Sequence, residues 1–254
     1  MEIVVLVKAV PSANETPALT DDHRLRRDGE IVLDPGDEYG VEVGLQVADA
    51  GGGTVTYVTM GPDSANAALR KALAMGGDGS VHVSDPSLAG ADALATARVL
   101  SAAIGRRGFD LVIAGVESTD GSTGTVPMSV AEFLEVPSVS FARKVEVTDG
   151  LLRVERQTAA GYDVIECELP ALVTVTTAAA EPRYPTLKGI MQAKQKPLEV
   201  LSLADLGIAA GDVAATQHVD AVAAAPERAA GEVIVDQGDG ATRIAEFLEQ
   251  AKVI

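Results

Sequence analysis

Asp110-Leu-Val-Ile-Ala114, running on into Gly115-Val-Glu-Ser-Thr-Asp-Gly-Ser-Thr-Gly-Thr-Val-Pro-Met-Ser-Val-Ala-Glu-Phe-Leu134, decides the fold. The opening aliphatic run has no polar alternation, as expected for a central strand covered on both faces. It ends at Ala114, and a helix starts near Val126 with an apolar stripe that includes Val130, Phe133 and Leu134. Pro127 suits the first helical turn, where its missing N–H would be unpaired anyway. Between strand and helix lie Gly121, Ser122, Thr123, Gly124 and Thr125. Glycines let backbone approach an anion, hydroxyls add donors, and the helix start contributes oriented N–H groups. On residue type alone such a loop is either a connection or a phosphate cradle.

The same alternation extends on both sides of this stretch. Ile3–Val7, Thr54–Thr59 and Ser80–Val83 read as strands, and Asp37–Ala50, Ser64–Met75 and Ala91–Gly105 as helices. Alternating strands and helices imply right-handed crossovers and a doubly wound, mostly parallel sheet. After Phe141 the pattern changes to short runs, Val145–Val147, Leu151–Gln157 and Tyr162–Leu169, separated by the turn signals Asp149-Gly150 and Ala159-Ala-Gly161. These predict an antiparallel meander appended to the sheet, with Ala171–Thr176 returning to it. Past Lys196 the chain is rich in Ala, Asp and Gly, carries Pro226, and lacks periodicity until Val233. It reads as an extended arm ending in an amphipathic helix over Ala241–Lys252. The expected division is therefore an α/β domain over 1–196 and an arm with terminal helix over 197–254.

The formal net charge of -17 repels polyphosphate backbones, and a 3% aromatic content without tryptophan removes stacking platforms, so nucleic acid binding is not expected. No apolar run reaches the roughly 20 residues of a membrane span. Met1-Glu2 leads directly into an aliphatic strand, without a secretory signal, and Cys167 is the single cysteine; a cytoplasmic bacterial protein is the expectation. Cys167 and His82 both fall in strand-like runs and read as structural. His23, His82 and His218 are scattered, with no metal-ligand spacing, and no Ser sits in a nucleophile elbow. Asp34 and Asp37 flank Pro35-Gly36, a pattern of turn and helix-cap chemistry. Neither a P-loop nor a G-x-G-x-x-G fingerprint is present. The residues point to nucleotide binding and reveal no nucleophile, acid–base pair or metal centre.

One segment breaks the local rules. Glu181-Pro-Arg-Tyr-Pro-Thr-Leu-Lys-Gly-Ile-Met-Gln-Ala-Lys-Gln-Lys196 follows the strand Ala171–Thr176, holds two prolines, and carries four basic residues and no acid from Arg183 onward. Leu187, Ile190 and Met191 sit within it. Either these residues fold back onto the core, or the segment is a surface that meets a partner.

Taken together, Val5-Leu-Val-Lys-Ala-Val10, Leu33-Asp-Pro, Lys71-Ala-Leu-Ala-Met-Gly-Gly-Asp78, Asp110-Leu-Val-Ile-Ala-Gly115, Val154-Glu-Arg, Glu181-Pro-Arg-Tyr and Gly189-Ile-Met-Gln-Ala-Lys194 resemble the beta subunit of the electron-transfer flavoproteins almost end to end. The resemblance implies a heterodimer with a larger alpha subunit that holds most of a redox-active FAD, while the beta subunit binds a structural AMP. By the resemblance the AMP site comprises Leu6, Asp34, Pro35, Gly36, Asp37, Met60, Asp120, Gly121, Ser122, Thr123, Gly124, Thr125, Val126, Pro127, Met128, Ser129, Val130 and Ala131. Leu187, with Ile190 and Met191, would anchor partner flavin dehydrogenases such as acyl-CoA dehydrogenases in fatty acid oxidation. Electrons would then pass to a quinone oxidoreductase or another acceptor. The surrounding basic residues would steer acidic partners, and the C-terminal arm would dock on the alpha subunit. This chain departs from many relatives at Ala13, Gln157, Gln192 and Gln195, which bear on flavin contacts and partner choice. Two other readings stay open: a bifurcating relative with a second FAD in place of AMP, and a stand-alone adenine-nucleotide-binding regulator.

Overall fold

The computed structural model describes residues 1–223, 231, 233 and 235–254. Pro226, expected in the arm, lies outside the described residues. Residues Met1–Val219 form one compact unit and the described part of Asp220–Ile254 a second.

The compact unit is built on a nine-stranded sheet. Its first two-thirds supplies β1 (Glu2–Leu6), β2 (Ala9–Pro11), β3 (Ile31–Leu33), β4 (Thr54–Met60), β5 (Gly79–Val83) and β6 (Leu111–Gly115), with helices α1 (Pro35–Gly51), α2 (Asn66–Met75), α3 (Ala93–Arg107) and α4 (Val126–Phe133) between them. β7 (Ser138–Thr148), β8 (Leu151–Thr158), β9 (Gly161–Glu168), β10 (Ala171–Val175), α5 (Leu187–Ala193) and β11 (Leu198–Leu201) follow. The order across the sheet is β11-β5-β4-β1-β6-β10-β7-β8-β9. All pairs from β11 to β7 are parallel, and β7–β8 and β8–β9 are antiparallel. This is the doubly wound sheet with appended meander that the alternation predicts. The direction of winding reverses between β1 and β6, which defines a crevice at their carboxyl ends.

Both faces of the sheet are covered, which explains the unbroken aliphatic runs. Ile3, Val5, Leu111 and Ile113 pack under α1 and α2. Val4, Leu6, Val112 and Ala114 pack under α3 and α4. Helix α1 lies close to its strands because residue 44 is glycine: a Cβ there would meet the Val5 side chain at 2.8 Å.

The change of pattern after Phe141 has a physical cause. β7 pairs with β10 through its first residues and with β8 through the rest, with register shifts at both handovers. Phe141 sits at that point in the left-handed region, φ 60°, and its N–H donates to Thr174 Oγ1 at 3.0 Å. Asp149 and Gly150 both have positive φ and form the two-residue hairpin turn between β7 and β8.

Three features depart from expectation. β2 and β3 pair as a small antiparallel ribbon beside the main sheet. Leu198–Leu201, expected in the arm, pairs with β5 as an edge strand. Residues 202–219 stay with the compact unit: Val213 and Leu203 are buried, Arg98 Nη1 donates to the Asp212 carbonyl at 3.1 Å, and Asp92 accepts from Thr216. In the second unit, α6 (Gly240–Gln250) is the expected terminal helix and buries none of its residues.

Candidate functional site

The carboxyl ends of β1, β4 and β6 bring together most of the expected nucleotide residues. Leu6 closes β1 and Met60 closes β4; Asp34 to Asp37 start α1, and 116–125 connect β6 to α4. Asp34 is fully buried and caps α1, its Oδ1 accepting from Gly36 N–H at 2.8 Å. Its other oxygen accepts from Thr119 N–H at 2.7 Å and Thr119 Oγ1 at 3.0 Å. The cap chemistry read from the sequence is therefore also a tie between the α1 start and the loop after β6.

Asp37 lies beneath. Its Oδ2 accepts from Lys8 N–H at 2.7 Å, and its Oδ1 occupies the space beside Gly115, where a Cβ would approach it to 2.7 Å. Burial, and then the neighbouring Asp34 charge, push the Asp37 carboxyl up to about 8, against the pull of the Lys8 and Gly115 N–H groups. The crevice thus holds less negative charge at neutral pH than its acids suggest.

In the loop itself Ser122 and Gly124 adopt positive φ, 46° and 62°, and residues 121–123 and 125 are exposed. Thr125 occupies the α4 N-cap without a side-chain cap hydrogen bond. Ser129 N–H is already bonded to the Thr125 carbonyl, whereas Val126 and Met128, in the first turn, have no partner within the helix. An open helix start behind a Gly/Ser/Thr loop fits a phosphate group. Val130 and Ala131 are core residues facing the sheet, and Pro127 is buried. They could serve a ligand only by placing backbone.

Sequence reasoning missed the cations of this site. Lys8, at the exit of β1, donates from Nζ to Asp120 Oδ1 at 2.6 Å and to Ser118 Oγ at 3.0 Å. Arg27 reaches the other Asp120 oxygen and gives Nη1 to the Ala9 carbonyl at 3.1 Å. Burial alone would raise the Asp120 carboxyl; Lys8, then Arg27 and Ser118, outweigh it and hold it below the ordinary carboxylate range.

The segment from Glu181 is a separate surface. Thr186 Oγ1 caps α5 through Gly189 N–H at 3.0 Å, so Leu187, Ile190 and Met191 sit on a short helix rather than an irregular loop. They are 76%, 46% and 65% exposed, and Tyr184 beside them is 90% exposed. Of the four basic residues, two hold the segment down. Arg183 makes a two-pronged pair with buried Glu42 of α1, at 2.8 and 3.1 Å, and also reaches Asp49. Lys196 Nζ donates to the Leu73 and Gly76 carbonyls at the end of α2. Only Lys188 and Lys194 are left to act on solvent or partners, and neither makes an ion pair among the described residues. Cys167 lies half-buried on β9, its thiol pushed up by burial. Buried His82 donates from Nε2–H to the Gly61 carbonyl, 2.8 Å away.

The electron transfer flavoprotein domain model matches residues 24–206. The chain belongs to the electron transfer flavoprotein family. It is 41% identical to the electron transfer flavoprotein subunit beta of Mycobacterium tuberculosis, across 99% of both chains. Identity is also 41%, over the same share of each, to the subunit of that name from Mycobacterium leprae. Against the caffeyl-CoA reductase-Etf complex subunit CarD of Acetobacterium woodii it is 35%, over 92% of each chain. Membership of this family supports a part in electron transport by a flavoprotein. Among the described residues, no helix is long and apolar enough to cross a membrane.

Proposed function

We propose that this chain is the beta subunit of a heterodimeric electron-transfer flavoprotein, binding a structural AMP and docking flavin dehydrogenases, whose electrons the complex delivers to a quinone oxidoreductase or other acceptor. The observation that carries the reading is the crevice between β1 and β6. There a Gly/Ser/Thr loop with an uncapped helix start lies against the Asp34–Asp37 turn. These uncharged donors suit the phosphate of a mononucleotide in a chain of charge -17. Leu6 and Met60 close the neighbouring strands; Leu6, buried under α3 and α4, would serve a base through its backbone, and half-buried Met60 would add apolar contact. The FAD of the complex, held mostly by the alpha subunit, supplies the electron acceptance and release. This chain supplies scaffold and docking surface. For docking, Leu187, Ile190 and Met191 fall at helical spacing on α5 and are exposed, with exposed Tyr184 just before the helix and Lys188 and Lys194 alongside, on a segment pinned by Arg183 and Lys196.

The same Gly/Ser/Thr loop and open helix start would also take the pyrophosphate of a dinucleotide, which supports a second reading, a bifurcating relative with a second FAD in the same crevice. One experiment separates the two. The chain is co-expressed with its large-subunit partner, the purified complex is denatured, and released nucleotides are quantified. One FAD and one AMP per heterodimer are expected; two FAD would establish the bifurcating form, and absence of flavin would sink both.

A further inference from the structure

Lys8 stands where three segments of the winding reversal meet. Its N–H is committed to Asp37 and its carbonyl accepts from Asp34 N–H at 2.9 Å, so its backbone is fixed to the start of α1. Its side chain crosses the crevice to the loop after β6, where Nζ meets Asp120 and Ser118. An ammonium has three donors, and two are used here. The Lys8 side chain is still 42% exposed, whereas that of Asp120 is 4% exposed. Nζ also lies 3.8 Å from where a Cβ on Gly121 would stand, against the backbone of the glycine loop.

Arg27 changes the charge balance. With Lys8 alone, Asp120 would cancel the ammonium. Arg27 comes from the polar excursion between β2 and β3, takes the second Asp120 oxygen, and is itself held at the Ala9 carbonyl. Two cations share one buried carboxylate, so Asp120 does not fully cancel Lys8; the other acids near the loop are buried Asp34, bonded to Thr119, and Glu117, whose Oε2 stands 3.7 Å from where a Cβ on Gly124 would lie.

We propose that Lys8 is the cation that matches the terminal phosphate of the bound nucleotide, and that Arg27, through Asp120, is a positioning residue that keeps Lys8 uncancelled and the Gly121–Thr125 loop in place. The ligand class is a nucleoside monophosphate, whose doubly charged end gains more from this clamp than a neutral nucleoside does. The inference rests on the nucleotide reading above and adds the charge that reading lacked.

The test uses the intact heterodimer and two probes, AMP and adenosine, which differ only in the phosphate. Affinity is measured by equilibrium dialysis at 50 and 300 mM NaCl for the wild type, Lys8→Met, Lys8→Arg and Arg27→Gln. Lys8→Met is expected to weaken AMP at least tenfold, to flatten its salt dependence, and to leave adenosine within twofold. Lys8→Arg should restore AMP binding to within about threefold, and Arg27→Gln should weaken AMP by about three- to tenfold with adenosine again unchanged. Equal weakening of AMP and adenosine in Lys8→Met would show a purely structural lysine and overturn the proposal. Unchanged AMP affinity would overturn it as well. A wild type that binds AMP no better than adenosine refutes the clamp alone, whereas one that binds neither refutes the nucleotide reading beneath it.

Discussion

Asp37 shows how one side chain can couple the site to stability. It is buried at 7% exposure, faces the Asp34 carboxylate and the Lys8 side chain, and has its carboxyl raised from 3.8 to about 8. An acid whose folded pKa lies above its unfolded value holds its proton in the native state and loses it on unfolding. Its contribution is therefore fully present below about pH 4 and is lost as pH rises through about 8. The slope it imposes is at most about 1.4 kcal/mol per pH unit. Asp37→Asn should remove that slope, so denaturant unfolding at pH 5, 6.5 and 8 should show the wild type losing stability relative to the variant. Parallel profiles would mean that Asp37 is already ionised in the native protein. Arg183 makes a contrasting case, since it compensates a buried charge rather than creating one. Burial opposes the Glu42 charge, but Arg183 and Gln46 hold its carboxyl below the ordinary range. Arg183→Ala strands that carboxylate and should cost about 1–3 kcal/mol. Lys188→Ala, at an exposed position with no ion pair among the described residues, should change stability by less than about 0.5 kcal/mol. Equal effects in thermal unfolding would contradict this division of the basic residues.

At the scale of elements, α5 is seated on the end of α2 with no room for a side chain at one position. A Cβ on Gly189 would meet the Ala74 carbonyl oxygen at 2.3 Å, a backbone atom that cannot swing aside. Gly189→Ala should therefore displace α5 while leaving the sheet intact. In the complex, dehydrogenase-dependent flavin reduction should fall at least fivefold with FAD content unchanged. Leu187→Ala, which trims a 76% exposed side chain without moving the helix, should give the same separation; loss of FAD with activity in either variant would make the segment structural instead. The elements also show what local pattern can reveal. Strands β1 and β6 were readable because burial on two faces writes itself as uninterrupted aliphatic runs, β4 and β5 as short Val-containing runs between helical segments, and α1 to α3 by their helical stripes. The β2–β3 ribbon was not, because three residues on each side of a long polar excursion carry no period. β11 was missed because its only signal is a partner far away in the chain, and α5 because Pro182, Pro185 and Gly189 mask a helix whose one local cue is the Thr186 cap. The site divides in the same way. The 120–125 loop and Asp34–Asp37 announce themselves by turn and cap chemistry, whereas Lys8 and Arg27 are defined by Asp120, 112 and 93 positions away.

For the whole molecule, the two units differ in what holds them. Met1–Val219 has a core on each face of its sheet, enough apolar burial for a chain of this size to fold without help. The described part of Asp220–Ile254 offers one helix, α6, that buries none of its eleven residues and leaves Ile244 and Phe247 more than half exposed. A single helix of that length is marginal in water and gains order by laying its apolar stripe on another surface. We propose that in the heterodimer this surface belongs to the alpha subunit, with the arm as a tether that raises the local concentration of the rest of the interface. Ending the chain after Val219 should therefore leave the circular dichroism of the sheet and its thermal midpoint within about 3 °C, and weaken association with the alpha subunit at least tenfold in sedimentation equilibrium. Phe247→Ser in the full-length chain should reproduce most of the loss without any change in the compact unit. If the shortened chain binds the alpha subunit as tightly as the full one, α6 has no role in holding the pair together.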